Sequence, residues 1–393
     1  MLELPPDIPA DVPGLWEGYA RWLDSKGVSR PRVTIHGGYG KNNLGDDAIL
    51  DVLLTRTLGR FPDADVTVVC HGPENVKARY PDLPNLSACH FKSLDALRAV
   101  VGSHLYFIGG GGIVNRINVY SGRQRLRLLD MKGKYLFVAA LGAKLAGART
   151  HFYAIGATSF PDAGVKLLAK WGLRHADVVS VRDRRSLDNL RALGVCRDIV
   201  LVRDPAVSLA PAPREEAESL LSRWNAGPGD RPRVCLGFRY VREPGLSNDA
   251  KVDKVVGLAR HLMDTGLRVV FLAASQHPSE HFEDDLHFGR AVRDRLGETD
   301  HFALIEEYGH PRLTMAVLGC MDLCVLERLH AVILASLAGV PVYAISYDHK
   351  VTEFAKLAGQ ERHLMELHEF MQQRSFAWLD PLLDGLHLPP EAT

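Results

Sequence analysis

No stretch of this 393-residue chain approaches the roughly 18 uninterrupted apolar residues of a membrane span. Its longest apolar runs, such as Ala331–Ala338, fall far short. The N-terminal sequence MLELPPDIPADVPG has neither a basic start nor an apolar signal segment, so the expectation is a cytoplasmic protein. Neither sign of charge dominates: 47 Lys and Arg stand against 47 Asp and Glu, which argues against a nucleic-acid binder or an acidic tail. Six cysteines, at 70, 89, 196, 235, 320 and 324, form no CxxC pair. Cys320 and Cys324 lack a second ligand pair at zinc spacing, so reduced, mostly buried thiols and no metal are expected. There is no HExxH and no GxSxG, which removes the zinc protease and nucleophile-elbow hydrolase signatures. Internal repeats and low-complexity tracts are absent as well.

What remains is ordinary globular composition, 46% hydrophobic and 24% charged, in a chain long enough for two domains. Short β-branched and apolar segments alternate with helical patterns from end to end. Strand candidates in the first half are Arg32–Ile35, Asp65–Cys70, His104–Ile108, Thr150–Ile155, Val178–Val181 and Ile199–Val202, with helices between them. A proline-rich segment, Ala206–Pro213, interrupts the pattern. It restarts with strands Val234–Phe238, Leu267–Ala273, Phe302–Leu304, Leu323–Leu326 and Val342–Ile345. Such alternation predicts parallel sheets covered by helices on both faces. The expected fold class is α/β: two doubly wound, Rossmann-like domains facing across a cleft, at residues 31–208 and 209–351. Residues 1–30 read as an added extension with a short helix, Leu15–Lys26. Residues 352–393 read as a helical segment packing back across both domains.

Ligands of doubly wound domains bind beyond the carboxyl ends of the strands, so the residues just after each strand matter most. The first strand runs into Gly37-Gly-Tyr-Gly-Lys-Asn-Asn-Leu-Gly-Asp-Asp47. This is neither a dinucleotide fingerprint nor a P-loop. Asp46 and Asp47 at a helix start disfavour an anion and suit hydrogen bonds to hydroxyl groups. A glycine run, Gly109–Gly112, follows the strand Leu105–Ile108, where backbone can approach a ligand closely. Arg182 ends a buried strand, where it could hold a carboxylate or phosphate, or pair with Asp183 or Asp204. Ser186 is the expected N-cap of the next helix. A strand at Leu323–Leu326 ends in Glu327, Arg328 and His330, and the next ends near Tyr347 and Lys350. A histidine bracketed by Arg328 and Lys350 reads as a proton-transfer group beside an anion site. A basic cluster, Arg123, Arg125, Arg127, Lys132 and Lys134, reads as a solvated face or, alternatively, a landing site for a diphosphate.

Taken in order, these segments resemble the polysaccharide pyruvyl transferase family. The matching features are Asn43-Leu-Gly-Asp46, the glycine run Gly109–Gly112, Ser180-Val-Arg-Asp183 leading to Leu193-Gly-Val195, Arg328-Leu-His330, Gly339-Val-Pro341 and Tyr347-Asp-His-Lys350. Glu327 stands where a small residue often precedes Arg-Leu-His. The resemblance implies a GT-B-like fold and transfer of the enolpyruvyl group of phosphoenolpyruvate to a sugar, glycan or lipid-linked saccharide as a ketal, without a metal or other cofactor. It implies His330 as acid–base, Arg182, Arg328 and Lys350 on the donor anions, and Asp46 and Asn43 at the acceptor hydroxyls. Gly45, Gly110, Gly111 and Tyr347 would line the site. On this reading one imidazole and three cations meet across the interdomain gap on a doubly anionic donor. The partners are small molecules or a saccharide at a membrane surface, with no nucleic acid. The alternatives are a GT-B nucleotide-sugar glycosyltransferase or a family member recruited to a small-molecule pathway. Many GT-B enzymes hold the ribose with an acidic residue five positions before a similar Gly-x-Pro turn, and here that position is Leu334.

Overall fold

A computed structural model of the chain describes residues 5–114, 134–157, 163–195, 197–229, 231–277, 282 and 284–386. The basic positions Arg123, Arg125, Arg127 and Lys132, the side chain of Lys134, and Cys196 lie outside them. The chain forms two compact units, one of Pro6–Lys41 and Asp46–Ser208, the other including Asn42–Gly45 and Leu209–Thr393.

The first unit holds strands β1 (Arg32–His36), β2 (Asp65–Cys70), β3 (Leu86–His90), β4 (Leu105–Ile108), β5 (Gly111–Val114), β6 (Arg149–Ala157), β7 (Val178–Val181) and β8 (Val200–Leu201). They pair in the order β3-β2-β1-β4-β6-β7-β8, and β5 pairs with β6. The second unit holds β9 (Arg233–Gly237), β10 (Arg268–Leu272), β11 (Phe302–Ile305), β12 (Leu323–Leu326), β13 (Val342–Ser346) and β14 (Leu364–Glu366). Their order is β11-β10-β9-β12-β13-β14. Among the described residues every pairing between strands is parallel. The central strands are buried along nearly their whole length, so they read in sequence as continuous apolar runs rather than alternating ones. Both strand orders double back once, between β1 and β4 and between β9 and β12. At such a switch point the connections leave to opposite sides and a crevice opens beyond the strand ends.

Two elements depart from expectation in the first unit. The N-terminal helix, Leu15–Ser25, is no appendage: Leu15, Tyr19, Ala20 and Leu23 enter the core shared by β1, β2 and β4. Trp16 stacks on Phe107 with centroids 5.7 Å apart. The N-cap of the helix Arg184–Ala192 is Asp183, whose Oδ1 accepts from the Ser186 amide at 2.6 Å. The carboxylate one turn earlier outcompetes the serine, whose Oγ instead accepts from the Ala157 amide. In the second unit the segment after Thr352 is not wholly helical. It adds β14 against β13 and belongs to that unit's core through Met365, Leu367 and Phe370. Three residues are too few for a period-2 signal to stand out in sequence.

Candidate active site

At the switch point of the first unit the chain leaves β1 through Gly37–Gly40 and β4 through Gly109–Gly112. Asp46, near the start of the helix Leu44–Arg60, lies against both loops. Gly111 adopts φ +112°, and a Cβ there would come 2.6 Å from Asp46 Oδ1. A Cβ on Gly38 would meet Asp46 Oδ2 at 3.4 Å. The glycines therefore bring main chain up to a half-exposed carboxylate. Gly110 is buried between Ile49 and the Ala154 carbonyl. The neighbouring Asp47, which sequence alone could not separate from Asp46, is buried and ion-paired with Arg79 at 2.7 Å. Arg182, at the end of β7, pairs through Nη1 with Asp204 Oδ2 at 2.6 Å, the salt bridge weighed as its alternative role.

At the switch point of the second unit, β9 ends into Phe238 and Arg239, and β12 ends into Glu327, Arg328 and His330. Arg328 grips Asp285: Nη2 donates to Oδ1 at 2.6 Å and Nε to Oδ2 at 2.9 Å. Burial works against the guanidinium charge, but the adjoining Asp285 carboxylate outweighs it and raises the pKa of Arg328 above its ordinary value. Arg328 is also the N-cap residue of the helix Leu329–Leu337, which puts His330 in its first turn. Glu327 is fully buried and accepts from Lys251 Nζ at 2.6 Å and from the Arg239 amide at 3.0 Å. Lys251 also donates to the Arg239 carbonyl at 2.8 Å. Loss of hydration lowers the pKa of Lys251, and Glu327 opposes that shift.

This buried pair clamps both backbone polar groups of Arg239. The Arg239 guanidinium in turn donates to Tyr347 Oη at 3.1 Å, the Tyr240 carbonyl at 3.1 Å and the Phe282 carbonyl at 3.2 Å, all uncharged acceptors. Its carbon lies 5.1 Å from the centre of the Tyr347 ring. Lys350 sits in the first turn of the helix Pro-free His349–Leu357, its amide donating to the Asp348 N-cap at 3.2 Å.

The segment Asn42–Gly45 belongs to this second unit. Leu44 donates its amide to the Ala274 carbonyl at 2.9 Å, Gln276 donates to the Asn42 carbonyl at 3.0 Å, and Asn43 bridges Ser275 in antiparallel fashion. Asn43 Oδ1 accepts from the Gly45 amide at 3.1 Å. A Cβ at position 45 would overlap the His330 imidazole. Two sequence motifs some 285 positions apart thus meet, Asn43-Leu-Gly45 against Arg328-Leu-His330.

Of the residues expected at the site, His330, Gly45, Asn43, Arg328, Tyr347 and Lys350 belong to the second unit, and Asp46, Gly110, Gly111 and Arg182 to the first. Sequence reading missed Arg239, Lys251 and Asp285. Arg239 carried a usable signal, an arginine directly after a strand. Lys251 and Asp285 look like ordinary polar residues near helix starts until their partners are seen.

The two parallel sheets with their helices define an α/β fold of the GT-B kind. Among solved structures the chain is similar to the UDP-GlcNAc 2-epimerase of Methanocaldococcus jannaschii, with 12% identity and a TM-score of 0.57 over 92% of this chain and 94% of that one. It is similar to the UDP-GlcNAc 2-epimerase of Neisseria meningitidis at 10% identity and TM-score 0.55, covering 90% and 92%. It is also similar to ADP-heptose lps heptosyltransferase II of E. coli at 11% identity and TM-score 0.50, covering 90% and 98%. Likeness at this identity fixes the fold and nothing finer. The family model described as polysaccharide pyruvyl transferase matches residues 43–349, and the chain belongs to that family.

Proposed function

We propose that the protein transfers the enolpyruvyl group of phosphoenolpyruvate to two hydroxyls of a saccharide acceptor, forming a cyclic ketal and releasing phosphate. The observation that carries this reading is His330, packed on Gly45 in the helix turn that Arg328 caps, with Arg239 and Lys350 following the strands on either side of β12 in the same sheet. Phosphoenolpyruvate has a phosphate and a carboxylate, each suited to an arginine fork or an ammonium. Arg328, Lys350 and, in the first unit, Arg182 remain the proposed donor ligands. Arg239 joins them because its guanidinium now spends its hydrogen bonds on neutral oxygens, which a dianion would displace.

In the proposed reaction an acid protonates the methylene carbon, so that C2 becomes oxocarbenium-like. One acceptor hydroxyl adds to C2, the C–O bond to phosphate breaks, and the second hydroxyl closes the ring. The two hydroxyls lose two protons in all; one balances the proton placed on carbon and the other leaves with phosphate. His330 is the proposed acid–base. Asp46, with Asn43, is proposed to bind or deprotonate the acceptor hydroxyls, and Gly111, next to the buried Gly110, to leave room for the Asp46 carboxylate beside the sugar. No metal enters this scheme, and a phosphoenolpyruvate donor fits a cytoplasmic enzyme. Leu334, in the place of a ribose-binding acid, weighs against a nucleotide-sugar donor.

Thermal melting distinguishes the donors: phosphoenolpyruvate raises the midpoint and UDP-sugars do not. Phosphate release with a candidate acceptor, together with an acceptor mass gain of one pyruvate ketal, tests the reaction. A midpoint that moves with UDP-sugars alone removes the proposal.

A further inference from the structure

Nine large hydrophobic side chains stand exposed among the described residues, and seven of them fall on three helices of the first unit. Leu94, Leu97 and Val101 lie on Leu94–Gly102, Val138 and Leu145 on Lys134–Leu145, and Leu167 and Trp171 on Ala163–His175. The spacings are i, i+3 and i+7, then i and i+7, then i and i+4, so each helix shows a single apolar stripe. The middle helix packs against both others. The opposite faces of all three, through Val100, Phe137, Ala140, Ala169 and Leu173, share one buried core. The outward stripes therefore lie side by side. Leu145 is 89% exposed, Leu94 72% and Trp171 55%, and apolar residues grouped in this way, unlike ones scattered singly, mark an interaction surface.

Basic side chains outnumber acidic ones on these helices. Lys134–Leu145 and Ala163–His175 contain no Asp or Glu, yet the latter presents Lys166, Lys170, Arg174 and His175. The sole acid of the third helix, Asp95, is paired with Arg98 at 2.8 Å. On a chain with equal numbers of acids and bases this is a local cationic face, rimming apolar residues that include a tryptophan. That combination suits an anionic lipid surface: leucine and tryptophan enter the interface while lysine and arginine meet the headgroups. A second copy of the chain fits less well, because self-docking would set like charges against one another.

We propose that this three-helix face docks the enzyme onto the surface of an anionic bilayer. It gives access to acceptors carried on lipid. The inference stands apart from the donor chemistry and needs no donor to be tested. The test is co-sedimentation of the full chain with phosphatidylcholine vesicles, with and without a third of phosphatidylglycerol, combined with the emission of Trp171, read as the difference between wild type and Trp171→Phe because the chain has five tryptophans. Wild-type protein sediments with the anionic vesicles, releases as salt rises, and the Trp171 emission shifts to the blue. Leu145→Asp with Leu167→Asp weakens partition about tenfold or more. Lys166→Glu with Arg174→Glu weakens it similarly and removes the salt dependence. Both variants change outward-facing residues, and their melting midpoints stay near wild type. Wild-type protein that ignores anionic vesicles overturns the proposal. So does equal binding by the variants. So does a dimer in sedimentation velocity that the same substitutions dissolve, which would assign the face to a second copy.

Discussion

The two switch points of this protein are built from opposite materials. In the first unit the strands β1 and β4 give way to glycines, and the chemistry offered is main chain beside one half-exposed carboxylate, Asp46. In the second unit β9 and β12 give way to charge on charge: Asp285 with Arg328, Glu327 with Lys251, and Arg239 braced by both its backbone bonds. Backbone at close approach suits a neutral polyhydroxyl partner, because amides and carbonyls satisfy hydroxyls without net charge. A dense set of oriented cations suits a small anion. Holding those cations still requires buried carboxylates, since a long side chain ordered by nothing loses rotamer entropy on binding.

The comparison breaks most visibly at His330. Its replacement by alanine lowers phosphate release by about 10²–10⁴-fold with the fold intact, the usual contribution of one acid–base group. Stopped assays with phosphoenolpyruvate and acceptor, beside a circular dichroism melt, check both halves of that statement. Full turnover by this variant removes the acid–base assignment. Gly45→Ala displaces the same imidazole without removing it, and the loss is smaller.

Next in size is a stability effect confined to the charged side. Asp285→Ala leaves the Arg328 guanidinium without its carboxylate and costs about 3–5 kcal/mol in urea unfolding. Little change would mean that the pair is solvated and orients nothing.

Acid should weaken the first unit by another route. His36 and His151 are buried, and burial pushes the pKa of each down to about 3. Above pH 6.5 both are neutral, folded or unfolded, and their contribution to stability is complete. Between pH 6.5 and 3 the unfolded chain takes up protons that the folded one refuses, so stability falls with pH. The loss is about 2 kcal/mol per histidine by pH 5. Urea midpoints at pH 7 and pH 5 measure it, and His151→Gln flattens the dependence. An unchanged slope in that variant would assign the acid sensitivity to other groups.

The smallest expected effect sharpens the glycine side. Gly111→Ala places a side chain at φ +112° against Asp46 and costs about 1–3 kcal/mol. The acceptor KM should rise while phosphoenolpyruvate still shifts the melting midpoint. Equal damage to donor and acceptor binding would erase the distinction between the two switch points.

Much of the fold was legible because parallel strands buried on both faces announce themselves as apolar runs. β4, β9, β12 and β13 all lie where such runs stand. β3, with its exposed Ser87, and β5, which opens on two glycines, give no such signal and were missed. Strand-end reasoning put Arg328 and His330 just past β12, and Tyr347 and Lys350 just past β13, because a residue's place at the end of a strand is a local property. It overlooked Asp285 and Lys251 because partnership is not local: nothing near either residue names the arginine or glutamate it meets.

The alternation of buried strands with helices, the glycine-rich turns and the basic strand ends were therefore determined by sequence alone, since each depends on a few neighbouring residues. Only the tertiary structure separated Asp46 from Asp47, set Asn43 and Gly45 beside His330, and gathered three apolar stripes onto one face. Those facts arise from contacts between residues far apart along the chain, whose pairing is decided by which surfaces can be buried together rather than by any local preference.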